Sequence, residues 1–273
     1  MSTALRVYVD GEPCSASWPQ DRALQYGDGL FETMLVRGGH IRFEALHRAR
    51  LALGCTRLAI QADHAAIWDQ AAGIAALHAE SLLKLQLTRG DATARGYAPS
   101  GAEQARVILS VFPAPSAKGL PTVIRALSLR HCLGENPDLA GIKHCSRLEQ
   151  VLARASLQGT GAFEGLMASS SGRLISGTMS NVFLELDGTL VTPELDRCGI
   201  AGVLRAVVLR EAQRAGIPVR IAEVPWSALT RCASLYLSNA RLGLLPVQEL
   251  DGRKLAFNAQ LGELAARIET LEQ

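Results

Sequence analysis

Leu83, Leu85 and Leu87 alternate with Lys84 and Gln86, a period of two that gives a strand one apolar and one polar face. Arg6 to Val9 reads as a shorter strand closed by the turn Asp10-Gly11. Phe31 to Val36 reads as another, turned at Gly38-Gly39 and resumed at His40 to Phe43 as a hairpin. The pattern then becomes helical over Glu44 to Leu53, where Gly54 is expected to stop it. Asp63 is placed to cap a helix running to about Ala79, with Ile67, Ala71, Ile74 and Ala75 on one face. A strand over Arg106 to Phe112 completes this half.

Pro113 to Pro121 holds three prolines and little apolar bulk, the composition of an extended linker. Beyond it the chain predicts a strand over Thr122 to Leu129 and a helix from about Arg147 to Gln158. In that helix Ser146 and Glu149 have the spacing of a capping box ahead of Leu148, Val151, Leu152 and Ala155. Turns are predicted at Ser171-Gly172 and Asp187-Gly188, and a helix over Val203 to Ala215 that Gly216 and Pro218 end. Strands near 219–224 and 232–238, a hairpin at Asp251-Gly252 and a last helix capped at Asn258, with Leu261, Leu264, Ala265 and Ile268 inward, finish the chain. Hairpins mixed with single helices predict an α+β fold in two domains, 1–112 and 122–273, joined by the linker at 113–121.

Composition narrows the classes. A chain of 273 residues with 48% hydrophobic and 20% charged residues suits a folded soluble protein, and no apolar run reaches the roughly 18–20 residues of a membrane span. The net charge of +2 gives no general attraction to nucleic acid or anionic lipid, so neither is expected as a partner. Six cysteines without a CxxC pair and a start without a secretory pattern predict reduced thiols and a cytoplasmic setting. No HExxH or ligand-spaced Cys/His cluster calls for a metal, and GxSxG, Walker and GxGxxG motifs are absent.

Of the 28 cationic residues only four are lysines, at positions 84, 118, 143 and 254, so any amine chemistry has four candidates. Lys84 alternates with strand leucines, Lys118 falls in the linker and Lys254 follows a hairpin turn, all three read as solvated. Lys143, in Gly141-Ile-Lys-His144, sits in a constrained stretch before a helix, a context that by itself favours a surface or structural role over a chemical one. Gly199-Ile-Ala-Gly202 opens a helix, and such a turn either binds phosphate with its backbone N–H groups or merely turns the chain. Arg89 and Arg95, with Tyr97, lie in a loop between strands, where arginine forks suit carboxylates but loop arginines are usually just solvated.

Five segments together resemble the class IV, or fold type IV, pyridoxal-phosphate enzymes, which include branched-chain and D-amino-acid aminotransferases and the aminodeoxychorismate lyases. They are Leu24-Gln-Tyr-Gly-Asp-Gly-Leu-Phe-Glu-Thr-Met34, Thr88-Arg-Gly90, Arg95-Gly-Tyr-Ala-Pro99, Gly141-Ile-Lys-His144 with Arg147-Leu-Glu-Gln150, and Arg197-Cys-Gly-Ile-Ala-Gly-Val-Leu-Arg205. The run from Arg95 to Pro99 looks like the lyases and not the aminotransferases. The resemblance implies pyridoxal 5'-phosphate as cofactor, Lys143 as the lysine that carries it, and a homodimer. It implies Arg50 and the backbone of Val203 and Leu204 at the cofactor phosphate, with Ser176 and Asn181 also at the cofactor. Arg95, Tyr97 and Phe31 would face the substrate. The reaction implied is conversion of 4-amino-4-deoxychorismate to 4-aminobenzoate and pyruvate, a step towards folate, with a D-amino-acid or branched-chain aminotransferase on the same fold, or a cofactor-binding relative with reduced catalysis, as the rivals.

One position departs from the pattern. In Leu174-Ile-Ser-Gly-Thr-Met-Ser-Asn181 the family usually has glutamate where this chain has Ser176. That glutamate keeps the cofactor ring nitrogen protonated and strengthens the ring as an electron sink. Transamination depends heavily on that sink. A reaction that forms an aromatic product has its own driving force, so Ser176 is read in favour of the lyase.

Overall fold

The computed structural model describes residues 6–13, 20–92, 96–114 and 123–271. The chain forms two compact units, one holding the residues up to Pro115 together with Ile142–Ser146, the other Ser116–Gly141 with Arg147–Leu271. The short segment containing Lys143 thus packs with the first unit although its neighbours on both sides belong to the second.

In the first unit, strands β1 (Arg6–Val9), β2 (Glu12–Pro13), β3 (Gly29–Arg37), β4 (His40–Ile41), β5 (Ser81–Thr88) and β6 (Arg106–Pro113) form one sheet in the order β2-β1-β6-β5-β3-β4. β3, β5 and β6 are antiparallel neighbours. The alternation at Leu83, Leu85 and Leu87 places all three at 0% exposure, each stabilising the fold by about 1.5–3 kcal/mol relative to an exposed side chain. Helices α2 (Glu44–Leu58) and α3 (His64–Leu77) cover that apolar face, and α1 (Arg22–Tyr26) precedes β3. Asp63 caps α3 as predicted, its side chain accepting from the Ala66 N–H at 3.0 Å.

α2 departs from the prediction. It runs through Gly54 and ends at Ala59, which adopts φ 51°. Gly54 is a packing site: a Cβ there would fall 2.7 Å from both methyls of buried Leu30. The glycine lets the helix approach β3 closely, and that tertiary gain outweighs its low helix propensity.

The second unit holds β7 (Arg125–Leu133), β8 (Glu164–Ser169), β9 (Leu174–Gly177), β10 (Asn181–Leu186), β11 (Thr189–Pro193), β12 (Val219–Ala222), β13 (Leu235–Asn239), β14 (Gly243–Pro246), β15 (Glu249–Leu250) and β16 (Arg253–Lys254). They form two five-stranded sheets, β12-β11-β10-β13-β14 and β16-β15-β7-β8-β9. One apolar core draws on both, with Ala126, Leu166, Val182, Leu184, Leu235 and Leu237 buried together. Helix α4 (Leu148–Ala155) packs on β7 and β8, while α5 (Val203–Arg214) and α6 (Ala259–Thr270) pack beside β13 and β14. The turns at Asp187-Gly188 and Asp251-Gly252 each put both residues at positive φ, as the hairpin signals predict.

The capping box expected at α4 does not form. Its N-cap is Arg147, without a side-chain cap bond, and Glu149 instead accepts from the Gly134 N–H at 2.8 Å. The apolar stripe of the same helix faces outward: Leu148, Val151 and Leu152 are 77%, 59% and 59% exposed, and the buried position is Ala153.

Candidate active site

Gly29 opens β3 at a point where a Cβ would lie 2.7 Å from the Leu87 carbonyl oxygen, so glycine is required for the pairing with β5. Residues 142–146 run alongside this end of β3. Phe31 N–H donates to the Lys143 carbonyl at 2.9 Å, Cys145 N–H to the Gly29 carbonyl at 2.9 Å, and Leu30 bridges to His144. The Lys143 backbone is therefore held as a strand is held. Its Nζ lies 4.2 Å from the centroid of the Phe31 ring, within cation–π range. The structure thus brings together Lys143 and Phe31, two of the residues singled out from the sequence.

Arg50 has a partner that sequence reasoning missed. Successive side chains on a strand point to opposite faces, so Glu32, next to Phe31, turns towards α2. There its carboxylate accepts Nε and Nη2 of Arg50 at 2.8 and 2.5 Å and faces His47 Nδ1 at 2.6 Å. Burial alone would push the Glu32 carboxyl up, but Arg50 and His47 together outweigh it and hold it at about 2. Burial lowers the His47 pKa more than Glu32 raises it. The imidazole is therefore neutral and donates its Nδ1 proton to Glu32, which leaves the buried Nε2 without a hydrogen-bond partner. The signal was present in the sequence as an i, i+3 pair on one helix face opposite an acidic strand position.

Tyr97 has different neighbours. Its side chain is 83% exposed and packs edge-on to Tyr26, ring centroids 5.3 Å apart. Arg22 donates to the carbonyls of Tyr97 and Gly96 at 2.5 and 3.4 Å and pairs with Asp28 at 2.8 Å. Asp28 also takes a two-pronged bond from Arg89. Arg95 lies outside the described residues.

In the second unit Asn181, Val203 and Leu204 come together at the start of α5. The N-cap is Gly202, which has no side chain to cap the helix. A Cβ there would fall 2.0 Å from Asn181 Oδ1, and Asn181 Nδ2 holds the turn by donating to the Ile200 carbonyl at 2.8 Å. The Val203 and Leu204 side chains are buried, so only their backbone is suited to meet a ligand. An uncapped helix N-terminus carries the partial positive charge that binds phosphate.

Ser176 is 8% exposed and sits opposite Met167 in the β8–β9 ladder. The next residue, Gly177, faces Glu164, whose Oε2 lies 2.7 Å from where a Cβ would be. Ser176 consequently points to the other face of the strand. Glu164 is fully occupied: it accepts from the N–H groups of Gly165 and Thr178 at 3.0 Å and from the hydroxyls of Thr178 and Ser180. It is a brace for the 177–180 turn and no substitute for the glutamate absent at 176.

The class IV amino-transferase family profile matches residues 29–250, and the chain belongs to that family. Over 266 residues it is 32% identical to an aminodeoxychorismate lyase of Vibrio harveyi, covering 96% of this chain and 97% of the relative. A crystal structure of 4-amino-4-deoxychorismate lyase from Pseudomonas aeruginosa superposes with a TM-score of 0.92 at 41% identity, covering 98% of this chain and all of that one. The branched-chain aminotransferase of Escherichia coli shares the fold, with a TM-score of 0.87 at 19% identity and coverage of 99% and 95%. Enzymes of this class depend on pyridoxal phosphate. Each unit by itself holds a feature that fits that group: the first a primary amine on a strand-held backbone, the second a helix N-terminus with no capping side chain.

Proposed function

We propose that this protein converts 4-amino-4-deoxychorismate to 4-aminobenzoate and pyruvate, with pyridoxal phosphate carried on Lys143. The observation that carries the reading is the anchoring of Lys143 across the start of β3, with its amine against Phe31. When bound, the cofactor supplies a carbonyl that condenses with amines and a ring that withdraws electrons from the carbon next to the nitrogen.

The residues of the chain do the rest. Lys143 would hold the cofactor through its amine and, as a neutral amine, would move the proton from the substrate carbon. Arg50 and the N–H groups of Val203 and Leu204 would hold the phosphate. Asn181 keeps the helix start in shape through Ile200 and Gly202. Ser176 would offer the ring nitrogen a hydroxyl in place of a carboxylate, which would leave a weaker sink and a reaction that leans on aromatisation of the product. Phe31, Arg95 and Tyr97 are assigned to the substrate, the two latter on the resemblance alone.

A homodimer belongs to the same proposal. The outward stripe of Leu148, Val151 and Leu152 is the kind of apolar helix face that a second subunit covers. Among the described residues no helix is long and apolar enough to cross a membrane; a cytoplasmic enzyme on the route to folate is the setting proposed.

Borohydride reduction of the holoprotein followed by peptide mapping tests the assignment of Lys143. The pyridoxyl label is expected on Lys143 alone. Label on Lys84, Lys118 or Lys254, or on no lysine at all, would sink it.

A further inference from the structure

The first turn of α5 carries a buried cation without a carboxylate partner. Arg205, two residues after Val203, is 9% exposed, and its guanidinium reaches across to β11. There Nε donates to Thr192 Oγ1 at 3.1 Å and Nη2 to the Pro193 carbonyl at 2.8 Å. Thr192 is buried in turn and donates its own hydroxyl proton to the Val182 carbonyl at 2.8 Å. Val182 follows Asn181, which holds the preceding turn through Ile200. The start of α5 is thus fastened twice, to β10 by Asn181 and to β11 by Arg205. Gly202, the N-cap, lies against the root of the same side chain, where a Cβ would meet Arg205 Cβ at 3.6 Å.

The fastening itself does not require a charge. Arg22 and Arg89, also buried, share the carboxylate of Asp28. Among the described residues no carboxylate pairs with Arg205, whose partners are a hydroxyl and a carbonyl. Burial accordingly pulls its pKa down to about 10, still high enough for the guanidinium to stay charged at neutral pH. An uncompensated charge taken out of water is costly. An anion nearby offsets that cost, and the uncapped N–H groups of the same turn are suited to hold one. We propose that Arg205 is a positioning residue for the cofactor phosphate: it pins the first turn of α5 to β11 and supplies the buried positive charge that balances a dianion on the Val203 and Leu204 N–H groups. This rests on the phosphate site assigned above and not on which reaction follows.

The test separates the phosphate from the rest of the cofactor. Apoprotein is titrated with pyridoxal phosphate and with pyridoxal, which has the same ring and aldehyde but no phosphate, and each Kd is read from the visible band. Wild type is compared with Arg205→Met, Arg205→Lys and the control Arg220→Met, whose arginine is exposed on β12. Arg205→Met is expected to bind pyridoxal phosphate about 10- to 100-fold more weakly, the order for one buried charge lost from a dianion site, with its Kd for pyridoxal within about twofold of wild type. Arg205→Lys should stay within about 5-fold for both ligands because it keeps the charge, and Arg220→Met should match the wild type. Arg205→Gln, which can still donate to the Pro193 carbonyl, should show the same selective loss and replaces the methionine variant if that one does not fold. The proposal is overturned if the neutral variants bind pyridoxal phosphate within about twofold of wild type, if they lose both ligands equally, or if Arg220→Met weakens pyridoxal phosphate as much. Wild type that holds pyridoxal phosphate no more tightly than pyridoxal would remove the phosphate site and the role of Arg205 with it. Wild type that discriminates between them yet yields no pyruvate from aminodeoxychorismate would refute the reaction and leave the comparison at Arg205 standing.

Discussion

Glu32 shows how much one side chain can organise. It takes two bonds from Arg50 and one from His47, and all three side chains are at most 10% exposed. Removing one partner of such a buried set costs about 3–5 kcal/mol, so Glu32→Gln should lower stability at neutral pH by that order in urea denaturation. The carboxyl is depressed from 4.5 to about 2 on folding, so the unfolded chain binds the extra proton as pH falls. The stability Glu32 contributes is therefore fully present above 4.5 and lost between 4.5 and about 2. Glu32→Gln should flatten the acid limb of the stability profile in that window. An unchanged limb would show that the depression does not exist. Lys84 carries the opposite lesson: alternation gave its strand, but the reading of a solvated amine missed a half-buried side chain whose Nζ lies 5.6 Å from the Phe31 ring centroid. That contact needed the β3–β5 register, which is not written locally in the sequence.

At the scale of elements, the signals that depend on neighbours in sequence were legible and those that depend on packing were not. Asp63 and Asn258 cap their helices because the caps are local bonds to N–H groups three residues on. The Asp-Gly turns form because both residues tolerate positive φ. Gly54 was misread as a stop because its reason lies in Leu30, far away in the chain. The two helical glycines of the first unit separate these effects. Gly73, in α3, has nothing within 4 Å of a would-be Cβ, so Gly73→Ala should stabilise by about 0.5–1 kcal/mol through helix propensity. Gly54→Ala makes the same propensity gain but must displace a buried leucine, an overpacking cost of about 1–3 kcal/mol, and should come out destabilising. Thermal denaturation of the two variants should shift in opposite directions; a shift of the same sign would refute the packing role of Gly54. The capping-box misreading at α4 has a similar cause, since Gly134 competes successfully for Glu149.

For the whole molecule, the α+β class was readable from hairpins mixed with single helices and the family from motif order, because those runs mark where backbone geometry and chemistry are fixed together. The outward stripe on α4 was not, since an apolar helical repeat looks the same whether it meets its own core or another subunit. If that stripe is the dimer contact, Val151→Glu should shift sedimentation from dimer towards monomer while circular dichroism stays unchanged, the side chain being exposed in the isolated chain. A dimer that survives the substitution would place the contact elsewhere. If Ser176 stands at the cofactor ring as proposed, it bears on the reaction itself, because a weakened sink suits elimination with aromatisation better than amino-group exchange. The deciding measurement is therefore to incubate the holoenzyme with 4-amino-4-deoxychorismate in the absence of any 2-oxo acid and to quantify both products. The account predicts pyruvate and 4-aminobenzoate in equal amounts over many turnovers. No pyruvate, or turnover only after a 2-oxo acid is added as amino acceptor, would contradict it.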